Sequence, residues 1–212
     1  MPANPLIESI RKSLGRAPEA PVPPRPPVLP ARQPESRKQE IARFLEEIRK
    51  LSGDARPLSP ASLPAALDTL VREQNIRRAA LWNTPRLREL KIAEHLSALG
   101  VEIASPDADK RALAECDLGV TEADFALPET GTLGLLSSAE KPRAVSLLPR
   151  VHLAILSPQA LRPDLHQVFS EAKNHPYLIF ITGPSRTADI ELTVTLGVHG
   201  PKALYAWILE EE

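Results

Sequence analysis

Apolar positions recur along this chain at two spacings, and the switches between them outline a succession of helices and strands. Leu6, Ile7, Ile10 and Leu14 lie three or four residues apart, as on one face of a short helix, and Gly15 is placed to end it. Ile41, Phe44, Leu45, Ile48 and Leu51 form a longer stripe closed by Gly53. Ser62, Leu63, Ala66, Leu67, Leu70 and Val71 form another. Arg77–Trp82 is a short apolar run with charged flanks, the signature of a buried strand. Thr84 and Pro85 are a good N-cap and a good first helical residue. They predict one helix through Leu87, Leu90, Ala93, Leu96 and Leu99 to Gly100, with a strand at Val101–Ala104 after it. Helices alternating with strands predict an α/β fold: a mostly parallel sheet with helices on its faces.

The second half reads differently. Ala123–Pro128 and Thr132–Ser137 flank Glu129–Gly131 as a hairpin would. Val151–Ser157 is a further apolar run. Leu161–Asn174 is helical, with Leu165, Val168 and Phe169 on one face. Tyr177–Thr182 reads as a buried strand and Lys202–Glu210 as the last one. Asp189–Leu196 alternates strictly, which favours strand or irregular structure, although a crossover helix would suit its place in the order. No internal repeat is visible.

Composition adds an arm. Eight of the 23 prolines fall between Pro18 and Pro34. Prolines this dense remove backbone donors and fix φ, so the segment reads as an extended spacer. It is a passive tether or a ligand for a partner's aromatic groove. The expected organisation is an arm over residues 1–35, short helix included, and one domain over residues 36–212.

Apolar residues make up 42% of the 212, enough for one sizeable core, and the net charge is -1. That balance gives no reason to expect nucleic acid as a partner. No stretch of about 18 apolar residues predicts a membrane span. The N-terminus carries Glu8, Arg11 and Lys12 without an apolar run behind them, which argues against a secretory signal. One cysteine, Cys116, can neither close an intrachain disulfide nor supply the thiolates of an iron–sulfur cluster. The expectation is a cytoplasmic protein without a cofactor of its own. The histidines show no two-histidine helical spacing, so no metal site is expected.

Three patches carry candidate chemistry. Gly119–Leu133 packs Thr121, Glu122, Asp124, Glu129, Thr130 and Thr132 between apolar residues. Gly131 allows positive φ or close approach to the backbone, Glu129 offers a carboxylate for nucleophilic or acid–base work, and the threonines offer hydroxyls. Such a turn binds a small polar molecule or merely satisfies its own backbone. The second patch follows Ile181. Gly183, Ser185, Arg186 and Thr187 beyond a strand end suit a phosphate or carboxylate, while Asp189 and Glu191 would weaken an anion site. It is not a phosphate-binding Walker loop, and no dinucleotide fingerprint exists elsewhere. The third patch is the tight loop Gly197–Pro201, where His199 and Gly200 orient a ligand or bond to backbone.

The stretches GVTEADFALPETGTLGLL, RAVSLLPRVHLAIL and FITGPSRTADIELTVTLGVHGP, with Leu14-Gly15-Arg16, resemble the LUD-domain family, in its small lactate-utilisation protein C (YkgG-type) branch. The likeness runs from about Ser36 to Leu209. It implies a three-layer fold similar to the NagB/RpiA/CoA-transferase group. It also implies a part in oxidising L-lactate to pyruvate, beside iron–sulfur partner proteins and with lactate or pyruvate as the small carboxylate. The larger protein of such a system has ferredoxin-like cysteines, which this chain lacks. One departure stands out: the family has a small residue where Pro128 precedes Glu-Thr-Gly-Thr. Proline cannot donate to a ladder, so the strand there must be at an edge or bulged. Two other readings stay open. One is a stand-alone acyl-CoA or small-carboxylate transferase using Glu129; the other is a ligand sensor whose arm contacts other proteins.

Overall fold

The computed structural model describes residues 5–16, 32–187 and 195–210. The chain divides into two compact units, Met1–Pro30 and Ala31–Glu212. In the first, helix α1 (Pro5–Ser13) exposes Leu6, Ile7, Ile10 and the following Leu14. The proline-rich stretch up to Pro30 lies outside the described residues.

The second unit is secured from Arg32 onward. Its backbone N–H donates to Asp164 Oδ2 at 3.0 Å, and its guanidinium donates to the Pro163 carbonyl at 2.9 Å and pairs with buried Glu40. Helix α2 (Arg37–Lys50) opens on a reciprocal cap between Ser36 and Gln39 and buries Phe44, Leu45 and Ile48, the core of the stripe read from sequence. There follow β1 (Asp54–Leu58), α3 (Leu63–Glu73) and β2 (Arg78–Leu81). Next come α4 (Pro85–Glu89), α5 (Ile92–Ala98), β3 (Glu102–Ala104), α6 (Lys110–Ala114) and β4 (Leu118–Glu122). The hairpin β5 (Phe125–Leu127) and β6 (Thr132–Leu136) leads to α7 (Ala144–Leu147), β7 (Val151–Leu156) and α8 (Leu165–Ala172). Strands β8 (Leu178–Ile181), β9 (Arg186–Thr187), β10 (Thr195–Leu196) and β11 (Ala203–Leu209) complete the described chain.

Six strands form one parallel sheet in the order β1-β11-β7-β4-β2-β3. All six residues of β7 are buried, as are the last six of β11, so both faces of the sheet centre are covered. This is the expected three-layer arrangement. A separate antiparallel sheet, β5-β6-β8, carries the hairpin. Phe125 and Leu127 beneath it pack with Val168 and Ala172 of α8 as a small second cluster. The free margin of β5 is partly covered: the Arg162 N–H donates to the Ala126 carbonyl at 2.8 Å, and β5 stops at Leu127, just before Pro128. The proline thus stands at a sheet edge, as its missing donor requires.

Two expectations need correction. The single helix from Thr84 to Gly100 is two helices, because Lys91 adopts φ 51° and re-aims the chain; the apolar period continues across the break and conceals it. Strand β8 is half-exposed rather than buried, since it is the outer strand of the antiparallel sheet. Strands β1 and β4 had no counterpart in the reading. Of Asp189–Leu196, only β10 is described; it pairs antiparallel with β9.

Candidate functional site

The first two patches meet. Strands β6 and β8 are paired so that Leu133 faces Ile181, which brings Thr132 beside Thr182. A chain of hydroxyls results: Thr130 Oγ1 to Thr132 Oγ1 at 2.8 Å, and Thr132 Oγ1 to Thr182 Oγ1 at 2.8 Å. Both loops dock on the last turn of α2. Gly131 has φ 60° and lies so close that an added Cβ would stand 2.7 Å from the Ile48 backbone nitrogen; Gly183 lies similarly against Leu51. The Arg186 guanidinium donates to the Leu51 carbonyl, capping that helix terminus.

The third patch joins the second. The Ser185 N–H donates to the Pro201 carbonyl, and the Gly197 N–H to the Ser185 carbonyl, each at 2.9 Å. Beneath these two loops lies a cavity of about 320 Å3. Its open rim is formed by Thr182, Ser185, Arg186, His199 and Gly200, and its floor by buried Ser146, His152 and Leu204. Gly183 also lines it.

Parallel-sheet register builds the floor. His152 of β7 is level with Gly119 of β4 and with Leu204 of β11, so the His152 and Leu204 side chains issue from one face and Gly119 leaves that face bare beside them. Gly119 lets α7 settle there, since a Cβ would fall 1.9 Å from the Val145 carbonyl oxygen. His152 Nε2 and Thr121 Oγ1 share a hydrogen bond of 2.9 Å deep in the sheet. Among the described residues, His152 Nδ1 has no hydrogen-bond partner. Burial pushes the imidazole down to about 3, so it is neutral at pH 7.

The remaining candidates are placed elsewhere. Thr121 is fully buried and acts on the cavity only through His152. Asp124 accepts from the Leu136 N–H at 2.7 Å and from Lys141 Nζ at 2.6 Å, tying the hairpin to the segment after it. Glu129 and Thr130 are exposed on the β5–β6 turn, and neither lines the cavity. Thr187 lies in β9 and does not line it either. Asp189 and Glu191 lie outside the described residues. The loop after Ile181 does lie beyond a strand end, but not one of the parallel sheet. Ile181 ends an antiparallel strand, and the cavity floor lies at the amino ends of β7 and β11. Sequence reading missed His152, Ser146 and Thr182. The available signal was a lone polar histidine inside an otherwise apolar six-residue run. No group of three or more His, Cys, Asp or Glu side chains that could hold a metal occurs among the described residues. No helix there is long and apolar enough to cross a membrane.

A parallel three-layer α/β domain with a mixed polar and apolar cavity under two loops is the class defined by this geometry. The LUD domain family model matches residues 41–209, and the chain belongs to that family. It is 35% identical to lactate utilization protein C of Halalkalibacterium halodurans over 74% of this chain and 73% of that one. It is 32% identical to lactate utilization protein C of Shouchella clausii over 79% of each chain. The uncharacterized protein YkgG of Escherichia coli is 35% identical over 69% of each. Among solved structures, a DUF162 family protein from Deinococcus radiodurans shares the fold with a TM-score of 0.63. It is 20% identical, and the match covers 84% of this chain and all of that one.

Proposed function

We propose that this chain is a component of an L-lactate utilisation system that works in the cytoplasm beside iron–sulfur partner proteins. The partners carry the electrons; this chain binds the small carboxylate, lactate or pyruvate, in the cavity below the two loops. The observation that carries the reading is the likeness to lactate utilization protein C over about three-quarters of both chains. The chain's single cysteine supports the division of labour, since a cluster takes several thiolates. The cavity supports the carboxylate: Arg186 stands at its rim with donors beyond those that cap α2, and Ser185 and Thr182 offer hydroxyls. Glu129 is exposed and does not line this cavity.

Reconstitution tests this. Lactate-dependent electron transfer by the purified iron–sulfur partners should fall at least tenfold when this chain is omitted, and the three proteins should co-elute in size-exclusion chromatography. Equal rates with and without the chain, and separate elution, would overturn the assignment.

A further inference from the structure

We propose that His152 is the specificity-determining residue of the cavity, reading the oxygen on the second carbon of a short carboxylate. This deepens the carboxylate-binding reading above and rests on it. The floor and rim of the cavity differ in chemistry. The rim carries a cation, the exposed Arg186 at the start of β9. The floor carries a neutral imidazole with one nitrogen engaged by Thr121 and the other unpaired. Buried polar groups are nearly always paired, so the unpaired ring nitrogen of a histidine that lines a cavity marks a place for a partner from outside the protein. In the arrangement described, that nitrogen is closed off from solvent. A ligand reaches it by displacing rim loops, and these are the exposed part of the site.

Thr121 makes the arrangement permissive in one respect. A threonine hydroxyl donates or accepts, and a neutral imidazole carries its proton on either nitrogen. When Thr121 donates to Nε2, the proton rests on Nδ1, which then donates to a 2-oxo oxygen. When Nε2–H donates to Thr121, Nδ1 is an acceptor for a 2-hydroxyl. The same floor therefore accommodates both the reduced and the oxidised acid, and disfavours an acid that has no oxygen on its second carbon and leaves Nδ1 unpaired. The ligand class is short 2-hydroxy and 2-oxo carboxylates.

Titration calorimetry of the full chain with L-lactate, pyruvate and propionate is the test, and it requires no variant. Lactate and pyruvate should bind within a few-fold of each other, and propionate roughly 3- to 10-fold more weakly, the range of one neutral hydrogen bond. With histidine labelled with 15N, the Nδ1 resonance of His152 should move on adding lactate or pyruvate and stay put with propionate. In His152→Phe the three acids should bind alike. Propionate binding as tightly as lactate, or an unmoved Nδ1 resonance at saturation, would overturn the role of His152 while leaving carboxylate binding in place. Failure of all three acids to bind would overturn both.

Discussion

The centre of the parallel sheet and the outer strands of the antiparallel ones obey different rules. In β7 and the last six residues of β11 every side chain is buried, whichever face it takes. In β8 none is fully buried, and both described residues of β10 are exposed. The parallel sheet is therefore a fixed frame, and it supplies the cavity floor; the antiparallel side ends in loops, and these supply the rim. Recognition groups gain precision on the first and adaptability on the second. The comparison teaches that the two halves of one site should respond to perturbation on different scales.

The largest effect should come from filling space in the frame. Gly119→Ala drives a Cβ into the Val145 carbonyl 1.9 Å away, whereas Gly134→Ala in β6 meets Phe125 Cβ at 3.1 Å. We expect a loss of about 3 kcal/mol or more for the first and about 1 kcal/mol for the second, read from urea denaturation. Equal costs would break the distinction between the sheets.

Acid sharpens it. The folded chain holds His152 near 3 by burial, against an ordinary 6.5. Protonation is disfavoured only in the folded state, so falling pH favours unfolding. The loss starts below about pH 6.5, stops growing near pH 3, and is absent above pH 7. Relative to His152→Gln, the wild type should lose about 2 kcal/mol of stability between pH 7 and pH 5. Parallel stability–pH curves for the two proteins would contradict a neutral buried imidazole.

The smallest effect belongs to the hairpin turn. Glu129 is exposed and does not line the cavity, so Glu129→Gln should change stability by less than about 0.5 kcal/mol. Lactate affinity should be unchanged in calorimetry. A large loss of affinity would move the site from the cavity to the turn.

Where the buried positions of an element are filled by apolar side chains, its sequence announced it. The stripe through Phe44, Leu45 and Ile48 gave α2, and the runs around β2, β7 and β11 gave their strands. Elements stabilised by polar pairing did not show themselves. Strand β4 lies mid-sheet yet contains Gly119, Thr121 and Glu122, a pattern that reads as a polar motif. Its polarity is absorbed by His152 for Thr121 and by Thr84 for Glu122, partners 31 and 38 residues away. Strand β1 is an outer strand with Asp54 and Arg56 bonded to each other, so no apolar run marks it. For the site, the loops around Ser185 and His199 were legible because Gly, Pro and hydroxyl residues cluster locally. Their meeting over His152 was not, since it depends on the register of β7 with β4 and β11. Glu129 stood out by composition, but composition does not say which side of a turn faces a cavity.

The covered margin of β5 bears on how the protein behaves at high concentration. A bare strand edge with free N–H and C=O groups is a template on which other chains add and grow into aggregates. Here Arg162 occupies the Ala126 carbonyl, its guanidinium stands 5.4 Å over the Phe125 ring, and Pro128 ends the donor row. One outer strand of the parallel sheet, β1, likewise interrupts its donors with Pro57. These two margins are poor seeds for intermolecular β-structure.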